Sequence, residues 1–512
     1  MTLGSLIAAA RSLASDSNHR VEAIGHAAQV VSSVTHDSRA ASRGAVFVAI
    51  PGHRTDGLRF AGDALSRGAV AVVSEAPRPP EIPETVCWLE TAHARISLAE
   101  LASIFYGHPS DRLLVAGVTG TNGKTTTAYL LASVLTAAGL PSGRLGTVTF
   151  RIGPKAADES DASHTTPEAS EVQRLLGAMV DRGCKACAME VSSHALALHR
   201  ADGVRFSLAI FTNLTRDHLD FHGDMQRYFA AKRRLFEMLP AGAPAVVNVD
   251  DPKGTELASW LPVVLTYGID QPAAVRATGI QASLEGLAFE VHTPRGTLAI
   301  RSPLIGRPNV YNILAVVAAG VALDLPDTAI EQGVARLEHV PGRFQLVSSG
   351  ADDVRVVVDY AHTDDALKNL LETARALATG RVVSVFGCGG DRDRSKRPLM
   401  GAVAARLSDL VILTSDNPRT EDPARIVAEI KLGLSPTPEP GAPSRPGTAF
   451  LEILDRRKAI EQAIRTAQPG DLVLVAGKGH ERYQVIGGRT LPFDDVEVAR
   501  TALGQRRAGS RV

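Results

Sequence analysis

The chain has 512 residues, of which 45% are hydrophobic and 21% are charged, a balance typical of a soluble globular protein. At roughly 150 residues per domain, this length predicts about three domains. The 55 basic and 55 acidic side chains cancel, so the charge favours neither a nucleic acid nor an anionic membrane as partner. No apolar run reaches the roughly 18 residues of a membrane span, and the first residues lack a signal-peptide pattern. We therefore expect a cytoplasmic protein without membrane insertion, and we expect it to be a monomer.

The four cysteines include one CxxC pair, Cys184 and Cys187. Four are too few for a disulfide framework in a chain of this length. No second pair or histidine cluster accompanies the CxxC. The pair therefore predicts buried structural thiols rather than a metal site.

The first 110 residues alternate short apolar strands with helical segments, which predicts a small α/β unit. Polar residues gather at two of its turns, at 37–39 and 54–56, and taken alone they are ordinary turn residues. Residues 76–84, APRPPEIPE, predict an exposed proline-rich loop.

A glycine-rich turn between a strand and a helix organises the second unit. The apolar run LLVAGVT ends at Gly120, and Lys124 opens a segment with leucines at helical spacing. Such a turn points backbone N–H groups at a polyphosphate, its lysine reaches the outer phosphates, and the hydroxyl of Thr125 can hold Mg2+. The spacing is not the standard one, because Val118 stands five residues before Gly123. A turn that binds nothing is the alternative, but we expect an ATP site.

A carboxylate at the tip of an apolar strand is where a phosphate-loop protein needs a Mg2+ ligand. The strand KACAMEV carries Glu190 near its end, and Asp250 and Asp251 after APAVVNV compete for the role. We favour Glu190 because the polar run SSHALALHR follows it. Before this strand, Thr166 as N-cap and Pro167 as first residue predict a helix, with one apolar face at positions 172, 175, 176, 179 and 180.

Two later segments of the second unit carry polar residues at helical spacing. Lys232 shares a segment with aromatic residues, and the spacing alone is typical of a surface lysine on an amphipathic helix. His218 and His222 precede it among carboxylates. Asn309 and Asn312 are three residues apart and should share one helix face.

In the third unit, three apolar strands each end in a polar cluster. Ligands of open parallel sheets bind at the carboxyl ends of the strands, so these clusters predict one pocket. Its expected residues are Arg392, Asp416, Asn417, Arg419, Lys478, His480 and Glu481. Guanidinium and carboxylate groups together suit a zwitterionic, amino-acid-like ligand. An ATP site facing such a pocket favours ATP-driven amide bond formation. Residues 435–447 predict an exposed loop.

Six motifs along the chain together resemble the Mur ligases of peptidoglycan synthesis. They are GTNGKTT at 120–126, EVSSH at 190–194, NLTRDHLDFHG at 213–223, PNVYN at 308–312, PGRF at 341–344 and VDYAHT at 358–363. DNPR at 416–419 resembles the branch of the family, the MurE type, that adds meso-diaminopimelate to UDP-N-acetylmuramoyl-L-alanyl-D-glutamate. The resemblance implies an α/β fold of three domains: a UDP-sugar domain at 1–110, a central P-loop ATPase domain at 111–339 and a Rossmann-like amino-acid domain at 340–512.

The resemblance also implies a role for each matching residue. ATP would be bound by Gly120, Thr121, Asn122, Gly123, Lys124, Thr125, Thr126, Asn309, Arg343 and Asp359. One Mg2+ would be held by Thr125 and Glu190 and a second by His218 and an N6-carboxylated Lys232, so the catalytic set is Lys124, Glu190, His218 and Lys232. UDP-sugar contacts would come from His36, Ser38, Arg54, Thr55 and Asp56, and contacts to the muramoyl dipeptide from Thr165, Thr166, Ser192 and Arg200. Diaminopimelate contacts would come from Arg392, Asp416, Asn417, Pro418, Arg419, Gly477 and Glu481.

Two positions depart from the family pattern. Leu198 stands where glutamine is usual, which puts one substrate hydrogen bond in doubt, and Asp364 follows YAHT where proline is usual, which predicts a looser turn. The alternatives are the same reaction with L-lysine, a D-alanyl-D-alanine-adding or folylpolyglutamate-type ligase, an inactive nucleotide-binding regulator, and a phosphotransferase that needs no amine.

Overall fold

Three separate sheets of mainly parallel strands, each flanked by helices, make up the computed structural model. The structure describes residues 1–10, 27–52, 55–162, 164–434 and 449–509. Arg54 and the loop predicted at 435–447 lie outside these residues. The α/β fold class predicted from the sequence is confirmed, whereas the exact domain boundaries stay a prediction.

The sheet nearest the N-terminus has four parallel strands in the order β1-β2-β3-β4. The strands are β1 (Ser33–Thr35), β2 (Ala45–Ala49), β3 (Ala71–Ser74) and β4 (Cys87–Glu90), and the helices are α1 (Leu3–Ala9), α2 (Ala61–Ser66) and α3 (Ala94–Phe105). Every residue of β2 and β3 is buried, because helices cover both faces of a parallel sheet.

The central sheet has eleven strands in the order β15-β14-β13-β12-β11-β10-β5-β9-β6-β7-β8. The strands are β5 (Leu114–Thr119), β6 (Ser142–Leu145), β7 (Thr149–Arg151), β8 (Glu159–Asp161), β9 (Ala186–Glu190), β10 (Leu208–Phe211), β11 (Ala245–Asn248), β12 (Val264–Gly268), β13 (Val275–Ser283), β14 (Gly286–Thr293) and β15 (Gly296–Ser302). Strand β5 lies in the middle, parallel to β9 and β10. Its carboxyl end therefore opens at the centre of the sheet, where ligands of such sheets bind.

Helices pack on both faces of the central sheet. They are α4 (Lys124–Ala137), α5 (Ala169–Asp181), α6 (Ser193–Ala197), α7 (Leu219–His222), α8 (Met225–Glu237), α9 (Pro252–Ala258), α10 (Arg307–Ala322) and α11 (Asp327–Arg336). Leucine, valine and alanine side chains of α4 and α10 are buried in one core with strands of the sheet. Apolar residues of α5 and α8 belong to a second core. The helix that follows the glycine-rich turn is therefore held along its length.

The predicted start of α5 is wrong by a few residues. The helix begins at Ala169, with Glu168 at the N-cap position. The Thr166 hydroxyl instead donates to the main-chain oxygen of Glu190, 2.9 Å away. Of the predicted apolar face, the residues at 172, 175, 176 and 179 are buried, and Val180 is half-buried.

The third sheet has six strands in the order β16-β17-β21-β18-β19-β20 and is parallel except for β16. Its strands are β16 (Gln345–Leu346), β17 (Arg355–Asp359), β18 (Val382–Phe386), β19 (Leu410–Leu413), β20 (Ala449–Glu452) and β21 (Leu472–Ala476), and β22 (Tyr483–Ile486) and β23 (Arg489–Pro492) form a separate hairpin. The helices are α12 (Asp364–Leu377), α13 (Lys396–Leu407), α14 (Pro423–Lys431), α15 (Arg456–Thr466) and α16 (Asp495–Gly509).

All four cysteines are free and buried, as predicted for structural thiols. Burial raises the pKa of the Cys388 thiol to about 12, which keeps it protonated and unreactive. Among the helices in the described part of the chain, none combines the length and the apolar character needed to span a membrane.

Candidate active site

The turn between β5 and α4 has the geometry of a phosphate-binding loop. Gly123 precedes the helix at φ 88°, and a Cβ there would collide with the side-chain oxygen of Asn312. Gly120 is at φ 148° and faces Thr212 with equally little room. Both positions therefore require glycine. The Lys124 ammonium donates to the main-chain oxygens of Gly120 and Thr121, each 2.9 Å away.

Glu190 is fully buried at the end of β9, beside this turn. Its carboxylate accepts hydrogen bonds from the Thr125 hydroxyl (3.0 Å), the Thr147 hydroxyl (2.9 Å) and the Thr147 N–H (2.8 Å). The structure thus joins Thr125 and Glu190, the two residues expected to hold one Mg2+. Sequence reasoning missed Thr147, because it lies in a loop after β6 that has no motif of its own.

The competing carboxylates are engaged by main-chain donors. Asp250 accepts the N–H groups of residues 269–271 and the hydroxyl of Tyr311. Asp251 caps helix α9 and accepts the N–H of Leu214. Glu190 is thus the carboxylate that contacts the phosphate-loop threonine.

Lys232 is buried, with 1% of its surface exposed, so the surface location that spacing alone suggested is wrong. Its ammonium donates to the main-chain oxygen of Gly120 (2.7 Å) and lies 4.3 Å from the ring centroid of Tyr228. Burial lowers the pKa of Lys232 well below its usual value, and the nearby Lys124 charge adds to this effect. Burial therefore shifts this amine toward its neutral form.

His218 packs edge-on against Tyr228 and adopts the left-handed conformation that precedes α7. Its ring nitrogen is 3.3 Å from the carboxylate of Asp217, and its ring packs edge-on against His194. Burial lowers the pKa of His218 to about 3, although the Asp217 charge opposes the shift. A neutral imidazole is the form that binds metals.

Two arginines and a carboxylate connect the first unit to the central one. The Glu168 carboxylate pairs with Arg200 (2.8 Å) and with Arg95 of α3 (3.5 Å). His36 lies near this group, where burial lowers its pKa and the Glu168 charge opposes the shift. Ser38 is buried two residues further on, at the start of a short 3-10 helix.

The predicted dipeptide contacts converge on Glu190. The Thr166 hydroxyl joins the main chains of Glu190 and Ser192, through bonds of 2.9 Å and 3.1 Å. The Thr165 hydroxyl is 3.1 Å from that of Thr147, which in turn binds Glu190. Thr165 and Thr166 are therefore connected to Glu190, which contacts Thr125 of the phosphate loop.

The remaining described residues that were predicted to bind the UDP-sugar lie on the surface of the first unit. Thr55 and Asp56 are exposed in the loop after β2, and the Asp56 carboxylate accepts the N–H of Leu58. The structure does not join them to His36 through any hydrogen bond in the described residues.

Of the two asparagines on α10, Asn312 is the one that contacts the phosphate loop. Its side-chain oxygen accepts the Thr127 hydroxyl (3.3 Å) and abuts Gly123. Asn309, for which the family resemblance implied a role at the nucleotide, reaches the phosphate loop only through Asn312, from whose side chain it accepts a hydrogen bond (2.9 Å). The predicted shared face is thus confirmed.

Arg343 connects the third unit to the phosphate loop. Its guanidinium donates to the Thr125 hydroxyl (3.2 Å) and stacks over the ring of Tyr360. Asp359, at the end of β17, accepts the N–H of Phe344 (2.6 Å) and so holds the PGRF segment. Burial raises the pKa of Asp359.

Polar side chains from the ends of β19 and β21 meet in one hydrogen-bonded cluster, and its role as a ligand pocket stays a prediction. The Lys478 ammonium, which is fully buried, donates to Asn417 (3.1 Å) and Glu481 (2.8 Å) and is 3.8 Å from Asp416. Asn417 also donates to Glu481 (2.8 Å). Burial raises the pKa of Asp416, although the Lys478 charge opposes the shift. Gly477 lies against Asp416, at φ 114°.

Arg419 and Arg392 both lie beside Gly389. A Cβ on Gly389 would be 2.9 Å from the Arg419 guanidinium and 3.8 Å from Arg392. Arg419 is at φ 53°, and its guanidinium donates to the main-chain oxygen of Gly390 (2.7 Å). The Pro418 carbonyl packs against Gly390. The structure therefore places two cationic side chains beside Gly389.

Protein-family models match three parts of the chain. "Mur ligase family, catalytic domain" matches residues 30–106, "Mur ligase middle domain" matches 118–320, and "Mur ligase, glutamate ligase domain" matches 342–479. A relative from Geobacter metallireducens, named UDP-N-acetylmuramoyl-L-alanyl-D-glutamate--2,6-diaminopimelate ligase, is 48% identical over 93% of this chain and 94% of its own length. The chain belongs to the Mur ligase family.

Other members of the family agree with this assignment. A Mur ligase of the same name from Solibacter usitatus is 47% identical over 92% of this chain and 93% of its own. A solved structure of that name is 34% identical, with a TM-score of 0.67, and the match covers 97% of this chain and 99% of the other. The Thermotoga maritima MurF ligase in complex with ADP is 20% identical with a TM-score of 0.63, over 93% of this chain and 98% of the other, and shares the Mur ligase fold.

One departure from the Mur ligase pattern has a clear structural outcome. Asp364 does not loosen its turn: it is the first residue of α12, which Thr363 caps. Its carboxylate accepts the guanidinium of Arg216 from the central unit (2.9 Å). Leu198 follows α6 as its C-cap, and its effect on the substrate stays a prediction.

Proposed function

We propose that this chain is the ATP-dependent ligase that joins meso-diaminopimelate to UDP-N-acetylmuramoyl-L-alanyl-D-glutamate in peptidoglycan precursor synthesis. The observation that carries the proposal is the chain's 48% identity, over 93% of its length, to a ligase named for these substrates. The intact set of Lys124, Glu190, His218 and Lys232 supports an active enzyme rather than a regulator.

The three units would divide the substrates among them. Residues 1–110 would bind the UDP-sugar, residues 111–339 ATP, and residues 340–512 the amino acid. Since one chain carries every part, a monomer suffices. ATP and UDP-linked precursors are cytoplasmic compounds, so the enzyme would act in the cytoplasm, where it would supply cell-wall growth, shape and division.

The phosphate loop, residues 120–126, would hold the ATP phosphates, with Arg343 reaching them from the third unit. Thr125 and Glu190 offer a hydroxyl and a carboxylate oxygen 3.0 Å apart, the hard oxygen donors that Mg2+ prefers. The cation would neutralise charge on the transferring phosphoryl group. His218 and a carboxylated Lys232 would hold a second Mg2+.

The surroundings of Lys232 support the proposal that it is carboxylated. Only a neutral amine attacks CO2, and burial lowers the pKa of Lys232, which shifts the group toward that form. The new N–C bond leaves a carbamate anion and releases one proton. The anion would exchange the repulsion from Lys124 for attraction, and it would provide an oxygen ligand.

The reaction would proceed in two displacements. The D-glutamyl carboxylate attacks the γ-phosphorus of ATP, which gives an acyl phosphate and ADP. The neutral amine of the incoming amino acid then attacks the acyl carbon, phosphate leaves with the electron pair of the broken C–O bond, and the nitrogen gives up one proton, which the released phosphate takes. Thr165, Thr166 and Arg200 would orient the dipeptide end beside Glu190, so that the carboxylate reaches the phosphate in line.

Selectivity for diaminopimelate would come from Arg419. Its guanidinium can bind the distal carboxylate through two parallel hydrogen bonds, whereas lysine lacks that carboxylate and would leave the cation unpaired. The carboxylates of Asp416 and Glu481 would bind the ammonium group beside it.

The test is phosphate release by purified protein with ATP, Mg2+ and UDP-N-acetylmuramoyl-L-alanyl-D-glutamate, with meso-diaminopimelate, L-lysine or no amine added. We expect turnover only with diaminopimelate and a product mass equal to that of the amide. Lys124→Met should abolish turnover, and Lys368→Met, at an exposed lysine of α12, is the matched control. Preference for L-lysine would overturn the Arg419 assignment. Turnover without any amine would refute the ligase.

A further inference from the structure

We propose that Arg216 is a positioning residue that couples the ATP loop to the amino-acid pocket. The inference rests on the proposed ligase function. It adds to that function a physical connection through which the state of one site sets the geometry of the other.

On the nucleotide side, the loop that leads to Arg216 is bonded directly to the phosphate loop. The Asn122 N–H donates to the side chain of Asn213 (2.9 Å). The Thr121 hydroxyl donates to the main-chain oxygen of Thr215 (3.1 Å) and accepts its N–H (3.0 Å). A shift of the phosphate loop therefore moves the residue just before Arg216.

On the amino-acid side, the Arg216 guanidinium bridges two elements of the third unit. One nitrogen donates to Asp364 at the start of α12 (2.9 Å). Another donates to Ser395 (2.9 Å) and to Asp393 (3.3 Å), in the turn that directly follows Arg392. The planar fork of arginine suits two acceptors on different elements, which the single ammonium of lysine cannot satisfy equally.

A second contact of the phosphate loop reaches the same helix. The Asn122 side chain donates to the Asp365 carboxylate (2.8 Å), one residue after Asp364. The start of α12 is therefore held from the central unit by Arg216 and Asn122, and the Thr215 side chain also reaches the Asp365 carboxylate. Of Arg216 and Asn122, only Arg216 also contacts the turn that follows Arg392.

The arrangement points to coupling more than to folding stability. The Arg216 side chain is 28% exposed, and those of Asp364 and Asp393 are 24% and 25% exposed. Because these side chains are only partly buried, loss of Arg216 leaves no fully desolvated charge behind, whereas the ion pairs fix the relative position of the loops that carry them. Loss of Arg216 should therefore misplace Arg392 while the chain stays folded.

The test compares two acceptors of the acyl group in Arg216→Met. Hydroxylamine traps an acyl phosphate as a hydroxamate without needing the amino-acid pocket, whereas diaminopimelate needs it. We expect the KM for diaminopimelate to rise about tenfold, a coupling of ordinary size, with hydroxamate formation from ATP within about twofold of wild type. Arg227→Met, at an exposed arginine of α8, is the matched control.

Further variants separate coupling from damage. Arg216→Lys should recover part of the KM, since one of the acceptors stays in reach. Asp364→Asn should raise the KM in the same direction, and the double variant with Arg216→Met should be no worse than Arg216→Met alone. Thermal unfolding of each variant shows whether it is folded.

Three outcomes would overturn the inference. They are an unchanged KM for diaminopimelate in Arg216→Met, an equal loss of hydroxamate and amide formation, and strict additivity with Asp364→Asn. Absence of hydroxamate from wild-type protein is a different result, because it would contradict the proposed ligase itself.

Discussion

Replacement of Thr147 by valine should weaken the use of Mg2+ by this enzyme. Valine keeps the shape of threonine but removes the hydroxyl that donates to Glu190 at 2.9 Å. A hydrogen bond to a charged group contributes about 1.5–3 kcal/mol. Glu190 keeps the Thr147 N–H and the Thr125 hydroxyl as donors, so the carboxylate stays in place but turns more freely.

At about 1.4 kcal/mol per factor of ten, loss of this bond predicts a 10- to 100-fold rise in the Mg2+ concentration needed for half-maximal turnover. The assay is a Mg2+ titration of amide formation at saturating ATP. Thr147→Ser keeps the hydroxyl and is the control, and it should titrate close to wild type. An unchanged Mg2+ requirement in Thr147→Val would refute the argument that this hydroxyl orients Glu190.

Three further predictions concern buried and charged groups. Lys232→Arg should lose turnover and should incorporate no carbon from labelled bicarbonate, because arginine stays protonated. NMR of the labelled protein measures the incorporation. Incorporation equal to that of wild type would contradict the carboxylation site. Asp495→Asn should lower the free energy of unfolding by about 3–5 kcal/mol, because it leaves the fully buried Arg456 cation without its anion. Urea unfolding, monitored by hydrogen exchange of the β21 amides, measures this loss. A loss below about 1 kcal/mol, the scale of exposed ion pairs, would contradict the prediction. Arg397 lowers the pKa of Glu421 from 4.5 to about 2. The excess free energy of unfolding of wild type over Glu421→Gln should therefore be fully present above pH 4.5 and should vanish as the pH falls through about 2. A constant difference in unfolding midpoint between the two proteins across this pH range would refute the prediction.

The sequence was most informative where a local pattern decides the structure. The apolar run before Gly120 and the leucines after Lys124 predicted strand, turn and helix, and the structure has β5, the loop and α4 at these positions. Glu190 was placed correctly at a strand end because a short apolar run bounded by polar residues is a strand signal. The roles of these residues toward ATP and metal stay predictions.

The errors came from local signals that distant contacts override. Thr166 and Pro167 resemble a helix start, but the Thr166 hydroxyl instead binds the main chain of Glu190, 24 residues away. Lys232 has the spacing of a surface residue, yet its helix turns it toward Gly120 across 112 residues of sequence. Neither partner can be read from the spacing of neighbouring residues.

By itself the sequence determined the α/β class, the phosphate loop and the family, because strand and helix periods and motif spacings are local properties of the chain. Only the tertiary structure decided which carboxylate contacts Thr125, that Asn312 supports Gly123, that Thr147 orients Glu190, and that Arg216 reaches Asp364. Each of these contacts joins residues from different elements. Their geometry depends on how helices and loops pack, which no single stretch of sequence specifies.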